Sequence, residues 1–346
     1  MITPPTIGLA PPLNTNALLT LPAYPKEEQS TKLVDKQGRI LSKLRLSITD
    51  ACQFHCFYCL PKPLPFLPSQ KILTVEEFFY LTSQFVSLGV NTLRVTGGEP
   101  TIHPQFITIM EKLSKLKPSS SHSFLKLTTN GEKLGEYLPQ LFDLGCHSIN
   151  ISLDSLDPYN FQKITGRKTF ATVIDNILKA KNMGFQVKIN VVVAKNYNDH
   201  EIIPFVKFSE NEGLSVRFLE LMNLGPIKPI YTESFISACE IKSVITEYTE
   251  LKPLVRDLDS TSQDYSTTQG GSLGFIAPET EPFCSGCSRL RLSAEGVFRS
   301  CLMHETGVNL RGLSPTEIKT LIGNHIHTKP LTKIIESPLS MSKIGG

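Results

Sequence analysis

Between residues 44 and 220, six short runs rich in β-branched and large apolar residues alternate with amphipathic stretches of helical period. The runs fall at 44–49, 92–96, 124–128, 148–153, 186–193 and 216–219. The amphipathic stretches fall at 74–88, 104–116, 132–144, 172–183 and 198–212. Thr74-Val-Glu-Glu reads as a capped helix start. Gly89, Gly145, Gly184 and Gly213 each follow the last residue of such a stretch, where a left-handed cap is expected. Alternation on this scale means βαβ units and a parallel sheet, an α/β fold. Six strands are too few to close an eight-stranded barrel but suffice for an open, partial TIM-type barrel.

Outside that region the pattern changes. Residues 1–25 carry no charged side chain and six prolines, which suits a loosely docked arm better than a signal or transit peptide. Residues 257–272 are polar and turn-rich and predict an exposed loop, and 315–324 predict a short helix. The expected organisation is an arm over 1–32, a barrel over 33–225 and a C-terminal domain over 226–346. No apolar stretch approaches the roughly 20 residues of a spanning helix, so no membrane partner is expected and a cytoplasmic location is. The 35 basic and 32 acidic residues leave a net charge of +3, too weak to suggest nucleic acid as the main partner.

In a partial barrel, polar residues at the C-terminal ends of strands point at the ligand. Here those ends carry Thr49-Asp-Ala-Cys52, Thr96-Gly-Gly-Glu-Pro100, Thr128-Thr-Asn-Gly131, Ser152-Leu-Asp-Ser155, Lys188 and Asn190 along the fifth run, and Glu220-Leu-Met222. Ordinary turn chemistry uses the same residue types, but all six point one way.

Six of the eight cysteines fall into two groups of three: Cys52, Cys56 and Cys59 after the first run, then Cys284, Cys287 and Cys301. Three thiolates hold a 4Fe–4S cluster with one iron left open to a small molecule. A Cys3His zinc site, completed by His55 in the first group or His304 in the second, is the alternative at these spacings. Arg289 and Arg291 follow the second group, and alternation along an extended run puts both on one face, as a phosphate-bearing ligand would want. Cys146 and Cys239 match no pattern and read as core thiols.

The Cys52-x3-Cys56-x-Tyr58-Cys59 loop after a first strand, followed by Gly97-Gly-Glu-Pro100 after the second, resembles the signature of the radical S-adenosylmethionine enzymes. The resemblance implies that the amino and carboxylate groups of S-adenosylmethionine chelate the open iron and that an electron from the cluster yields an adenosyl radical. Glu99 then reads as a turn-fixing or amine-binding group.

With the second triad and Arg291, the match narrows. Leu44-Arg-Leu-Ser-Ile-Thr-Asp50, Arg94 through Pro100, Thr128 through Gly131, Asn150 through Leu156, Arg217 through Met222, Phe283 through Arg291, Gly307 through Arg311 and the terminal Gly345-Gly346 resemble the GTP 3′,8-cyclase family of molybdenum-cofactor biosynthesis. The resemblance spans about residues 33–346.

It implies that Tyr58, Gly98, Ser152 and Met222 contact S-adenosylmethionine. Arg45, Arg94, Thr128, Lys188, Arg289, Leu290 and Arg291 would contact GTP, with Arg217 a further candidate for the triphosphate. Arg45 and the tail glycines Gly345 and Gly346 are the implied catalytic positions. The implied reaction removes the C3′ hydrogen of GTP and joins C3′ to C8 of the purine. A downstream cyclic pyranopterin monophosphate synthase would take the product, and flavodoxin or ferredoxin would donate electrons. A homodimer is kept as an open assembly. Gln53 and His55 stand where the family commonly has Asn and Arg, a departure that leaves every cysteine ligand intact.

Overall fold

The computed structural model describes residues 32–60, 66–119, 121 and 123–334. Nearly all of the amino-terminal arm, and Gly345 and Gly346, lie outside the described residues.

Six strands appear where β-rich runs predict them: β1 (Lys43–Ser47), β2 (Thr92–Thr96), β3 (Leu125–Thr129), β4 (Ser148–Ser152), β5 (Gln186–Val193) and β6 (Ser215–Glu220). Each is parallel to the next. Helices between them lie at Val75–Ser87, Phe106–Ser114, Leu138–Asp143, Phe170–Asn182 and Ile202–Glu212. Thr74 and Glu77 form the reciprocal cap expected of that segment. Gly89, Gly145, Gly184 and Gly213 all take positive φ, a backbone angle that costs glycine nothing.

The C-terminal part departs from expectation. It adds β7 (Leu251–Pro253), β8 (Gln263–Thr267), β9 (Ser272–Ile276), β10 (Arg289–Leu292), β11 (Val297–Arg299) and β12 (Val308–Asn309). β9 joins β6 and β10 joins β1, both in parallel, so one segment extends both edges of the six-stranded sheet. Eight parallel strands result, in the order β10-β1-β2-β3-β4-β5-β6-β9, with antiparallel strands outside each end. The stretch 257–272 is therefore not all loop. Its middle forms β8, which pairs antiparallel with β9. Polar composition hid that edge strand, whose Tyr265 and Thr267 are good strand formers.

β9 and β10 do not pair, so the barrel stays open. A flat sheet would hold its outermost two of eight strands roughly 34 Å apart, at about 4.8 Å per step. Here Arg291 of β10 and Ile276 of β9 border the same cavity, so the sheet curls around it. Alternation sorts the faces. Leu44, Leu46, Leu93, Val95, Leu127 and Ile149 pack outward under the helices in one apolar core. Arg45, Arg94 and Thr128 point the other way.

Three helices had no counterpart in the sequence reading, the shortest at Tyr231–Ser234. Pro158–Thr165 starts on an Asp157 cap, and Ala238–Thr246 on a Ser237–Glu240 reciprocal cap. The stretch 132–144 is not one helix: a 3₁₀ turn at Leu134–Glu136 precedes Leu138–Asp143, with Pro139 in the first turn of the second piece.

Candidate active site

A cavity of about 340 Å3 opens at the C-terminal ends of the parallel strands. All six triad cysteines line it, together with Arg45, Tyr58, Gly98, Thr128, Ser152, Arg217, Met222, Arg289 and Arg291. The loops that sequence reasoning singled out separately are thus brought to one chamber.

The first triad sits in the loop after β1, held from three sides. Gly98 N–H donates to the Thr49 carbonyl (2.7 Å) and Glu99 N–H to the Ala51 carbonyl (2.8 Å). A Cβ on Gly98 would run into the carbonyls of Asp50 and Ala51, so only glycine permits this approach. His55 N–H donates to the Thr165 carbonyl (2.7 Å). Phe57 stacks on Tyr197 with ring centres 4.0 Å apart. The Tyr58 hydroxyl donates to Asp154 (2.6 Å), whose other oxygen accepts from Val192 N–H (2.8 Å). Burial pushes the Asp154 carboxyl up to about 6, against those two hydrogen bonds.

Glu99 is turn-fixing. Its buried carboxylate accepts from Thr101 N–H (3.0 Å), the Thr101 hydroxyl (2.6 Å), the Thr129 hydroxyl (2.7 Å) and Asn130 N–H (2.6 Å). It ties the turn after β2 to the end of β3. From there, Asn130 reaches Cys52 Sγ at 3.8 Å.

The second triad is anchored by residues no motif announced. Arg39 is buried, and its Nε donates to Asp35 (2.6 Å). Its other nitrogens donate to the carbonyls of Cys284 (2.6 Å), Pro330 (2.9 Å) and Lys329 (3.1 Å). Lys329, 2 % exposed, donates to the carbonyls of Arg289 (2.8 Å) and Ser300 (2.5 Å). One buried ion pair and one buried lysine thus join the start of the chain, both cysteine-bearing turns and the segment leading to Thr332, Lys333 and Ile334 on the cavity wall. Replacing Arg39 by methionine would leave Asp35 buried without its cation, a loss of about 3 kcal/mol or more. The expected result is a clear fall in the thermal midpoint, with Arg39→Lys recovering part of it.

One thiol stands apart electrostatically. Burial raises Cys52 and Cys56 far above the ordinary thiol range, and Cys59 to about 12. Cys287 is opposite: burial raises it, but Arg289, Lys329 and Arg291 together draw it down to about 6.

The predicted nucleotide positions separate into two groups. Arg45, Thr128, Arg217, Arg289 and Arg291 line the cavity. Arg94 and Lys188 do not border it, although strand parity turns both toward the inner face. Arg94 donates to the Leu127 carbonyl (2.7 Å) and is close to the Thr128 hydroxyl (3.4 Å). The Leu290 side chain turns the other way: the alternation that points Arg289 and Arg291 inward buries it fully in the outer core. Cys146 is buried as expected, but Cys239 is exposed.

Two inward lysines escaped the sequence reading. Lys43 is in register with Arg289, and Lys126 with Arg94. Strand parity was the available signal, since Lys126 lies two residues before Thr128.

The donor set tests what the triads could hold. Among the described residues, no three His, Cys, Asp or Glu side chains converge as a single metal ion requires. Neither His55 nor His304 borders the cavity. Three thiols per site beside a shared cavity suit a polynuclear cluster with one open iron. The cavity walls also hold unpartnered buried atoms: Asn150 Oδ1, Asn190 Oδ1, Arg217 Nε and Arg291 Nε. Such atoms call for a ligand with both hydroxyl donors and anionic acceptors.

Comparison with known proteins shows two family matches. Residues 46–209 match the model of the radical SAM superfamily, and residues 214–334 match that of Molybdenum Cofactor Synthesis C. The structure of Streptococcus suis SuiB aligns with a TM-score of 0.59 at 15% identity, over 86% of this chain and 68% of that one, a likeness of fold. Fold and site together define a radical S-adenosylmethionine protein with a C-terminal molybdenum-cofactor synthesis region.

GTP 3′,8-cyclase of Synechocystis sp. is 37% identical over 317 residues, covering 92% of this chain and 96% of its own. That of Aquifex aeolicus is 38% identical over 282 residues, covering 81% and 87%. The chain belongs to the GTP 3′,8-cyclase family, whose members are radical S-adenosylmethionine enzymes of molybdenum-cofactor biosynthesis.

Proposed function

We propose that this chain converts GTP to (8S)-3′,8-cyclo-7,8-dihydroguanosine 5′-triphosphate, using two 4Fe–4S clusters and S-adenosylmethionine. The observation that carries the reading is the single cavity bordered by both triads and by four arginines. Cys52, Cys56 and Cys59 would hold one cluster, and Cys284, Cys287 and Cys301 the other. When bound, the first cluster with S-adenosylmethionine supplies hydrogen-atom abstraction, and the second offers an open iron to the base.

The protein's own part is aim and exclusion. Tyr58, Gly98, Ser152 and Met222 line the cavity and would seat S-adenosylmethionine. Gly98 lets the turn after β2 close on the loop that carries the first triad. Arg289 and Arg291 stand on β10 beside the second triad, and Arg45 stands on β1 in register with Arg291. Burial and mutual repulsion hold Arg45 well below the usual arginine range, with Arg291, Arg289 and Arg94 as the repelling groups. A polyanion relieves that repulsion, so binding energy is released where the phosphates lie. Asn150 and Asn190 offer oxygens to ribose hydroxyls. Holding the sugar between the two cluster sites places its ring within reach of both, which is the positioning a ring closure needs.

We take residues 33–225 as the unit that seats the first cluster and 226–346 as the one that seats the second. A downstream synthase would receive the product, and flavodoxin or ferredoxin would supply electrons. Among the described residues no helix is long and apolar enough to cross a membrane; the reading places the reaction in the cytoplasm. The test is anaerobic incubation of reconstituted protein with GTP, S-adenosylmethionine and dithionite. The cyclised nucleotide is expected, isomeric with 7,8-dihydro-GTP minus two hydrogens. Cleavage of S-adenosylmethionine with GTP recovered unchanged would refute the assignment of substrate.

A further inference from the structure

The inner face of the barrel is more cationic than the family resemblance required. Arg291, Arg45, Arg94 and Lys126 are register partners across β10, β1, β2 and β3. Register partners in a pleated sheet project to the same side, and neighbouring strands lie about 4.8 Å apart, so the four cations form one row of roughly 14 Å. Arg291 and Arg45 border the cavity; Arg94 and Lys126 continue the row along the inner face beyond the cavity lining.

Among the described residues, Lys126 makes no hydrogen bond or ion pair. The groups that act on it are Arg94, Lys43, Lys188 and Asp259. The one carboxylate of that set is already engaged, by Lys43 at 2.6 Å and by the Ser288 hydroxyl at 2.8 Å. Burial, then repulsion from Arg94, Lys43 and Lys188, draws the Lys126 ammonium down to about 8. A partly buried ammonium facing three other cations, with no acceptor of its own, is unfavourable in the empty protein and favourable once an anion arrives.

We propose that Lys126 binds the terminal phosphate of the nucleotide and makes the site prefer a triphosphate to a diphosphate. The inference rests on the GTP reading above and adds a residue and a selectivity to it. The direction of the row decides which phosphate is met. The base belongs at the second triad, next to Arg291. The phosphate chain then runs along Arg45 and Arg94, and the phosphate farthest from the base reaches Lys126. A diphosphate would end short of it. Lys188 lies one row higher, in register with Asn150 and through it with Thr128, so it serves a phosphate nearer the sugar.

Equilibrium dialysis of the reconstituted holoenzyme under anaerobic conditions tests this, with GTP, GDP and GMP against wild type, Lys126→Met and Lys126→Arg. Lys126→Met is expected to weaken GTP binding about tenfold, or about 1.4 kcal/mol. GDP and GMP should change less than twofold, and Lys126→Arg should restore most of the GTP affinity. The same methionine variant is expected to raise the thermal midpoint, because it removes a repelled cation. Equal weakening of all three nucleotides, or an unchanged preference for GTP, would overturn the proposal. Wild-type protein that binds none of the three would overturn the substrate reading itself, and that failure shows before any variant is compared.

Discussion

Replacing Arg291 by alanine is expected to weaken GTP binding by about a hundredfold while leaving cleavage of S-adenosylmethionine within about twofold of wild type. Two charge-assisted hydrogen bonds at roughly 1.5 kcal/mol each account for that size. The side chain is 6 % exposed, its Nε has no partner, and it faces Arg45 across the β1–β10 pair. Burial draws it down to about 10. Removing it relieves repulsion with Arg289 and Arg45, so the fold should not suffer. The neighbours of the first triad are untouched: Gly98, Glu99 and Asp154 make their contacts elsewhere. Loss of both properties in equal measure would contradict the separation of the two ends of the cavity.

The second large effect is an asymmetry between the triads. Cys287→Ala should abolish the cyclised product yet retain cleavage of S-adenosylmethionine, since only the second site loses a ligand. Cys56→Ala should abolish both. Each substitution should lower bound iron from about eight to about four per chain, because a two-thiol remnant does not retain a 4Fe–4S cluster. If Cys287→Ala removed cleavage as completely as Cys56→Ala, the two triads would be one functional unit and the division of roles would fail.

How much of this was legible in the chain depends on the range of the interaction. The six central strands come from local periodicity and appear within a residue or two of expectation, whereas two of the glycine-capped helices start later than expected, at Leu138 and Ile202. Arg289 and Arg291 share a face because alternation on an extended run is local too. Leu290 was assigned to the nucleotide by resemblance, and parity alone would have turned its side chain away. The edge positions of β9 and β10 were not legible. Nothing in Ser272–Ile276 or Arg289–Leu292 states which strand it joins, and the answer depends on closure over long stretches of chain. The helix at Pro158–Thr165 could have been found from Asp157-Pro158, an N-cap followed by a first-turn proline. Arg39 could not: its carbonyl partners lie 245 to 291 residues away. Lys126 sits between the two cases, since its side is set by parity and its isolation only by the fold.

Two incomplete cysteine triads face one chamber, and each is proposed to hold a cluster with an open iron. Anaerobic reconstitution with iron and sulfide, followed by metal analysis of the purified chain, tests that claim most directly. About eight irons with matching sulfide and negligible zinc per chain is the predicted result. Two zinc ions per chain with little iron would contradict it, and with it the whole of the proposed chemistry.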